Sequence, residues 1–136
     1  MHTDTKTTMK TLAEFIGRSQ RHCVTELLKG EEGTYFAATL ATLAATVAAM
    51  PTTYDQEGQG TNATAHLHYF RGGADWYITE KDINTDGAGQ LQAFGLVNLG
   101  DGPEFGYISI PDILAAGAEL DFHFTPITLA EIAARH

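Results

Sequence analysis

Cysteine is almost missing from this chain: Cys23 is the only one in 136 residues. A lone thiol excludes an internal disulfide framework and suits a reducing compartment, so a cytoplasmic protein is expected. Long apolar runs are missing too. The stretch from 35 to 50 is broken by threonines and falls short of the roughly 18 continuous apolar residues a membrane span takes. The opening MHTDTKTTMK has no apolar segment of the kind a secretory signal carries. Bases are scarce, with eight Lys and Arg against seventeen Asp and Glu and a formal net charge of −9. The imbalance is uneven. Residues 1–29 hold five bases and three acids, whereas residues 30–136 hold three bases and fourteen acids. An acidic body repels phosphate backbones, which argues against direct nucleic-acid binding outside the first helix and favours basic protein partners.

Catalytic signatures are also lacking. Ser109 has no G-x-S-x-G setting, and neither Gly58-Gln-Gly60 nor Gly100-Asp-Gly102 is followed by the helix start and Lys of a phosphate loop. Cys23 falls on the apolar stripe of a helix, where a buried structural thiol is the expectation. No cofactor is called for.

What is present describes one α+β domain over residues 1–136, with a helical hairpin over 8–50, a linker over 51–62 and an antiparallel sheet with short helices over 63–136. Thr11-Leu-Ala-Glu14 spells a capping box, and Leu12, Phe15, Ile16, Cys23, Leu27 and Leu28 recur at helical spacing up to Gly30. Phe36, Leu40, Leu43, Val47 and Met50 then step by four, three, four and three, a heptad seam stopped by Pro51. That seam packs inward on the sheet, or else forms a homodimer seam or a groove for a partner helix. TTYDQEGQGTN, residues 52–62, has no apolar period and reads as the linker. About five strands follow. Ala65, Leu67 and Tyr69 alternate with His66, His68 and Phe70, and Trp76 and Ile78 with Asp75, Tyr77 and Thr79. Two more strands span 92–98 and 105–110, and Leu120, Phe122 and Phe124 alternate in a fifth. Short helices begin at Pro111 and at the capping box Thr128-Leu-Ala-Glu131.

Four ordered blocks in residues 65–132 carry a resemblance. Trp76, Thr79, Glu80 and Asp82 form the first, and Phe94, Gly95, Leu96, Leu99 and Gly100 the second. Pro103, Glu104, Gly106, Tyr107 and Ser109 form the third, and Asp121, His123, Phe124 and Pro126 the fourth. In this pattern the chain resembles a small domain-of-unknown-function family (number 2958) carried on conjugative plasmids, phages and integrative elements. The helical hairpin lies outside the match. The resemblance implies a mobile-element setting without an agreed activity, and accessory proteins of such elements are often anti-CRISPR or anti-restriction factors.

Three constellations carry candidate chemistry. Asp82-Ile-Asn84-Thr-Asp86-Gly87 spells the start of a calcium loop, with oxygens at alternate positions and Gly at the sharp turn. The bidentate Glu that such a loop needs at its twelfth position is replaced by Ala93, so a hairpin loop is the competing reading. His66, His68 and His123 form the second, since imidazoles from different strands can converge with carboxylates on a metal. The third is the acid set Glu80, Asp82, Asp86, Asp101 and Glu104, expected on loops as contacts for a basic partner. The resulting expectation is a non-catalytic acidic binding module, an anti-defence inhibitor occupying the basic nucleic-acid site of a host protein. The alternative is a metal-binding domain or metal-dependent enzyme using the histidines and carboxylates.

Overall fold

The computed structural model describes residues 2–53, 55–56, 58–84 and 89–135. Three helices come first: α1 (His2–Leu12), α2 (Arg18–Lys29) and α3 (Gly33–Ala49). Then follow β1 (Thr64–Ala65), β2 (Leu67–Arg71), β3 (Ala74–Glu80), β4 (Ala93–Asn98), β5 (Pro103–Ile108), α4 (Ile110–Ala115), β6 (Glu119–Leu120), β7 (Ile127–Thr128) and α5 (Leu129–Ala134). The architecture is α+β. An antiparallel sheet runs in the order β5-β4-β3-β2-β6, and β1 pairs separately with β7.

Strand alternation decides which face meets the helices. Leu67, Tyr69, Trp76, Ile78, Ala93, Val97, Ile108 and Leu120 join one core with α1, α2 and α3. The seam of α3 enters this core whole: Phe36, Leu40, Leu43, Val47 and Met50 are all buried. Burial of that apolar stripe removes it from any contact with a second copy, so the homodimer reading of the seam falls. Tyr69 is the polar member of the interior; its hydroxyl donates to the carbonyl of Phe15 at 2.5 Å. The opposite sheet face is covered in part by a smaller cluster of Ala63, Ala65, Tyr77, Leu129 and Ile132.

Four expectations are corrected. The helix read from Thr11 to Gly30 is two helices, because α1 ends at Leu12 and a turn over 13–17 tucks Phe15 and Ile16 into the core. Thr11 therefore closes a helix instead of opening one. After that break α2 buries Val24, and its neighbour Cys23 is exposed, not buried. The strand expected over Leu120–Thr125 stops at Leu120. A turn there sends Phe122 to the helical core, with its ring 5.7 Å from that of Phe36, and Phe124 to the outer cluster.

The connecting segment 51–62 is tied down at several points. Thr52 bridges Lys81, and Thr53 donates through N–H to Lys81 O at 2.9 Å and through Oγ1 to Gln92 O at 3.0 Å. Lys81 Nζ in turn donates to Val47 O at 2.8 Å and Ala48 O at 3.3 Å, closing the C-terminal end of α3. At Thr128 the N-cap half of the expected capping box forms, its hydroxyl accepting from Glu131 N at 3.2 Å. No helix among the described residues is long and apolar enough to cross a membrane.

Candidate functional site

A cleft of about 410 Å³ opens on the sheet face turned away from the helices, at the β5 side. Its base is made where β3 and β4 slip register between Ile78 and Glu80. Irregular pairing of this kind re-aims side chains. Glycine is required at 95, since a Cβ there would overlap the carbonyl oxygen of Tyr77. Thr79 braces the slip through Oγ1 to Phe94 O at 3.1 Å.

Three rings wall the cleft. Phe94 stacks on Phe105 with centroids 6.3 Å apart and an 11° interplanar angle, and meets Tyr107 edge-on at 5.5 Å. Antiparallel pairing sets them side by side, Phe94 opposite Tyr107 and Leu96 opposite Phe105. Phe105 and Tyr107 remain 47% and 54% exposed, a large apolar presence for surface positions. The opposite wall is a strap to which Thr53, Gln56, Gly58, Gly60 and Ala63 contribute. Gln56 holds the strap to the sheet: its Nε2 donates to Thr79 O at 2.8 Å and Thr64 O at 3.2 Å, and its Oε1 accepts from Thr64 N at 3.0 Å. Glu80 lines the cleft and is 3% exposed, with Oε2 accepting from the Gln56 N–H.

The sequence-predicted acids therefore divide. Glu80 and Asp82 are buried, because their carboxylates cap backbone N–H groups; they are not surface contacts. Asp82 Oδ1 accepts from Asn84 N at 2.9 Å and Oδ2 from Gln92 N at 3.1 Å. Gln90 completes the knot by accepting from Asp82 N at 2.8 Å and donating to Glu14 Oε1 at 3.2 Å. Both oxygens expected to face a calcium ion are thus turned to the loop's own backbone. Asp86 lies outside the described residues. Asp101 and Glu104 are exposed, on the β4–β5 turn and β5.

The three histidines do not converge. His68 lies between two carboxylates, with Nε2 2.7 Å from Asp75 Oδ1 and Nδ1 3.2 Å from Asp121 Oδ2, and its ring stacks on Tyr77 at 4.7 Å. A ring held at both nitrogens presents no lone pair to a metal. His66 stands between β1 and β2, where burial lowers its pKa. His123 is exposed in the turn after β6, its N–H donating to Asp121 Oδ1 at 3.0 Å. Among the described residues no three of His, Cys, Asp and Glu form a group that could hold a metal ion. Burial raises the pKa of Tyr77, helped by the charges of Asp75 and Asp121, so the phenol beside His68 stays neutral over a wider range.

Sequence pattern does not mark Gln56, Phe94, Phe105 and Tyr107 as site residues. Phe94 and Tyr107 stand in the resemblance blocks, which is their one signal in the sequence. Compared with protein-family models, with curated proteins and with solved structures, the chain matches none.

Proposed function

We propose that this chain is a non-catalytic, acidic protein-binding module that engages a basic partner through the β4–β5 hairpin. The observation that carries the reading is the composition of that hairpin. Leu99, Phe105 and Tyr107 are exposed large apolar groups, the acids Asp101 and Glu104 stand exposed among them, and no Lys or Arg occurs anywhere from 82 to 134. Aromatic anchors flanked by charge of one sign are the composition of a recognition surface. The charge steers a basic partner and the rings hold it.

Carried on a mobile element, as the resemblance implies, such a module serves as an anti-defence inhibitor. It occupies the basic site with which a host CRISPR or restriction protein grips nucleic acid. The test is a panel of purified basic nucleic-acid-binding defence proteins, each mixed with the chain at several ionic strengths. A complex that weakens as salt rises, is broken by Glu104→Lys with Asp101→Lys, and competes with DNA supports the reading. Complexes indifferent to salt and to both reversals, or complexes that leave DNA binding intact, refute it.

A further inference from the structure

We propose that the cleft beside β5 is an anchor site for one aromatic side chain, supplied by the basic partner and flanked there by Lys and Arg. That the ring comes from a basic partner rests on the reading above; the cleft itself does not. Its polar groups already serve the fold. Thr79 Oγ1 donates to Phe94 O, Thr53 Oγ1 to Gln92 O, and the Gln56 amide to Thr79 O and Thr64 O. Glu80 likewise accepts from the Gln56 N–H and fastens the strap. Among the described residues no fully buried side-chain nitrogen or oxygen lacks a hydrogen-bond partner. A guest is therefore held by apolar contact, as the buried anchors of protein interfaces are.

The walls favour a flat guest. Phe94 and Phe105 lie nearly parallel, and Tyr107 meets Phe94 edge-on. An added ring can stack on one face and meet another edge-on, the two arrangements that aromatic pairs prefer. Across from them Gly58 and Gly60 have positive φ and no side chain, and a Cβ built at either would meet nothing within 4 Å, so the strap leaves the rings uncovered there. The cleft, about 410 Å³, stands near the lower end of the range for ligand pockets, roughly 300–1,000 Å³, which suits one side chain and not a large cofactor. Charge decides what carries the ring. Between residues 30 and 134 the only Lys and Arg are Arg71 and Lys81, and Lys81 turns its ammonium to the end of α3. Acids stand exposed on both sides: Asp55 next to Gln56 on the strap, Asp101 and Glu104 on the β4–β5 turn and β5. A nucleobase would bring its phosphate against them, whereas a Trp, Tyr or Phe set among Lys and Arg meets opposite charge.

The test uses the full chain labelled with ¹⁵N, titrated with p-cresol and with its saturated counterpart 4-methylcyclohexanol. The cresol is expected to shift the amides of Ala63, Phe94 and Phe105, and the saturated alcohol to bind at least threefold more weakly. Phe105→Leu keeps an apolar side chain at a position 47% exposed and removes only the ring; it is expected to weaken the cresol at least threefold and leave the rest of the spectrum in place. Equal binding of the two probes, shifts confined to other surfaces, or a Phe105→Leu protein that binds cresol as before overturns the site. A second arm separates the sources with a short peptide carrying one Trp among Lys and Arg, the same peptide with Ala for Trp, and one with the Trp set among Glu. Binding of the first at least tenfold tighter than either control supports the proposal in full. Equal binding of the two basic peptides overturns the ring anchor while leaving the partner reading standing. Equal binding of the two Trp peptides overturns the basic source, and the partner reading with it, while leaving the cleft a site for rings. Adenosine monophosphate that matches the basic Trp peptide at these amides overturns a protein as the source.

Discussion

Removing one oxygen atom from Tyr69 tests whether the helical layer and the sheet are locked together as described. Tyr69 is fully buried, and its hydroxyl donates to Phe15 O across the core. The acceptor belongs to the turn between α1 and α2, so the bond ties the centre of β2 to the place where the helical layer bends. Tyr69→Phe keeps the ring and its packing and strands the Phe15 carbonyl in an apolar interior. Losing one partner of a buried hydrogen bond costs about 1–3 kcal/mol, so a loss of about 2 kcal/mol is expected. In urea, with a slope near 2 kcal/mol per molar, the midpoint falls by about 1 M and the slope is unchanged. In a thermal scan the midpoint falls by about 6–8 °C. Alkaline pH supplies an independent signature. Burial raises the Tyr69 pKa well above 10, so the native state keeps the phenol neutral while the unfolded chain ionises it. The contribution from Tyr69 is complete below pH 10 and is lost as pH climbs through the unfolded value toward the folded one, at up to about 1.4 kcal/mol per pH unit. Phenylalanine has no such term, so the gap between the two proteins closes above pH 10. A loss under about 0.5 kcal/mol at neutral pH, or a gap that stays constant to pH 11, would refute the account.

Three more perturbations probe the site's scaffold. Gly95→Ala forces a methyl against the Tyr77 carbonyl, so β4 must move away from β3; a destabilisation of about 3 kcal/mol in chemical denaturation is expected. Asp82→Ala removes the acceptor from the N–H groups of Asn84 and Gln92 and costs about 2 kcal/mol, while Asp82→Asn keeps one acceptor and costs less; hydrogen exchange at those two amides reports the difference. Burial lowers the His66 pKa below 6.5, so its contribution is present above that value and fades as pH falls toward the folded one; His66→Gln should flatten the acid side of a stability-versus-pH curve, and an unchanged curve rejects the assignment.

Legibility in the sequence followed periodicity. The seam Phe36–Met50 and the alternations through β2 and β3 show their burial directly, because one residue in 3.6 or in 2.0 must face the core. Leu120, Phe122 and Phe124 obey the same alternation without being a strand. Their side chains reach two different clusters through a turn in which Asp121 accepts from His123 N, and an alternating pattern is blind to that. Thr53 and Gln56 read as linker residues because they are anchored by side chain to backbone bonds, which leave no periodic trace. Glu80 and Asp82 read as surface acids because sequence shows a charge and not the N–H group it caps. The cleft was hidden for the same reason, its parts lying from Thr53 to Tyr107 and meeting only once the strap is fastened.

The pairing of Thr64 and Ala65 with Thr128 and Ile127 has a consequence for biosynthesis. The residues of α1 to α3 and of the β2–β3 hairpin have all been made when the first eighty residues have left the ribosome, but the outer side of Tyr77 stays wet until the segment 127–132 follows. At about 5–20 residues per second that interval is a few seconds. During it the nascent chain shows Tyr77 and Leu96 as an apolar surface that Ile127, Leu129 and Ile132 cover in the finished protein, and a chaperone meeting this protein would meet it there.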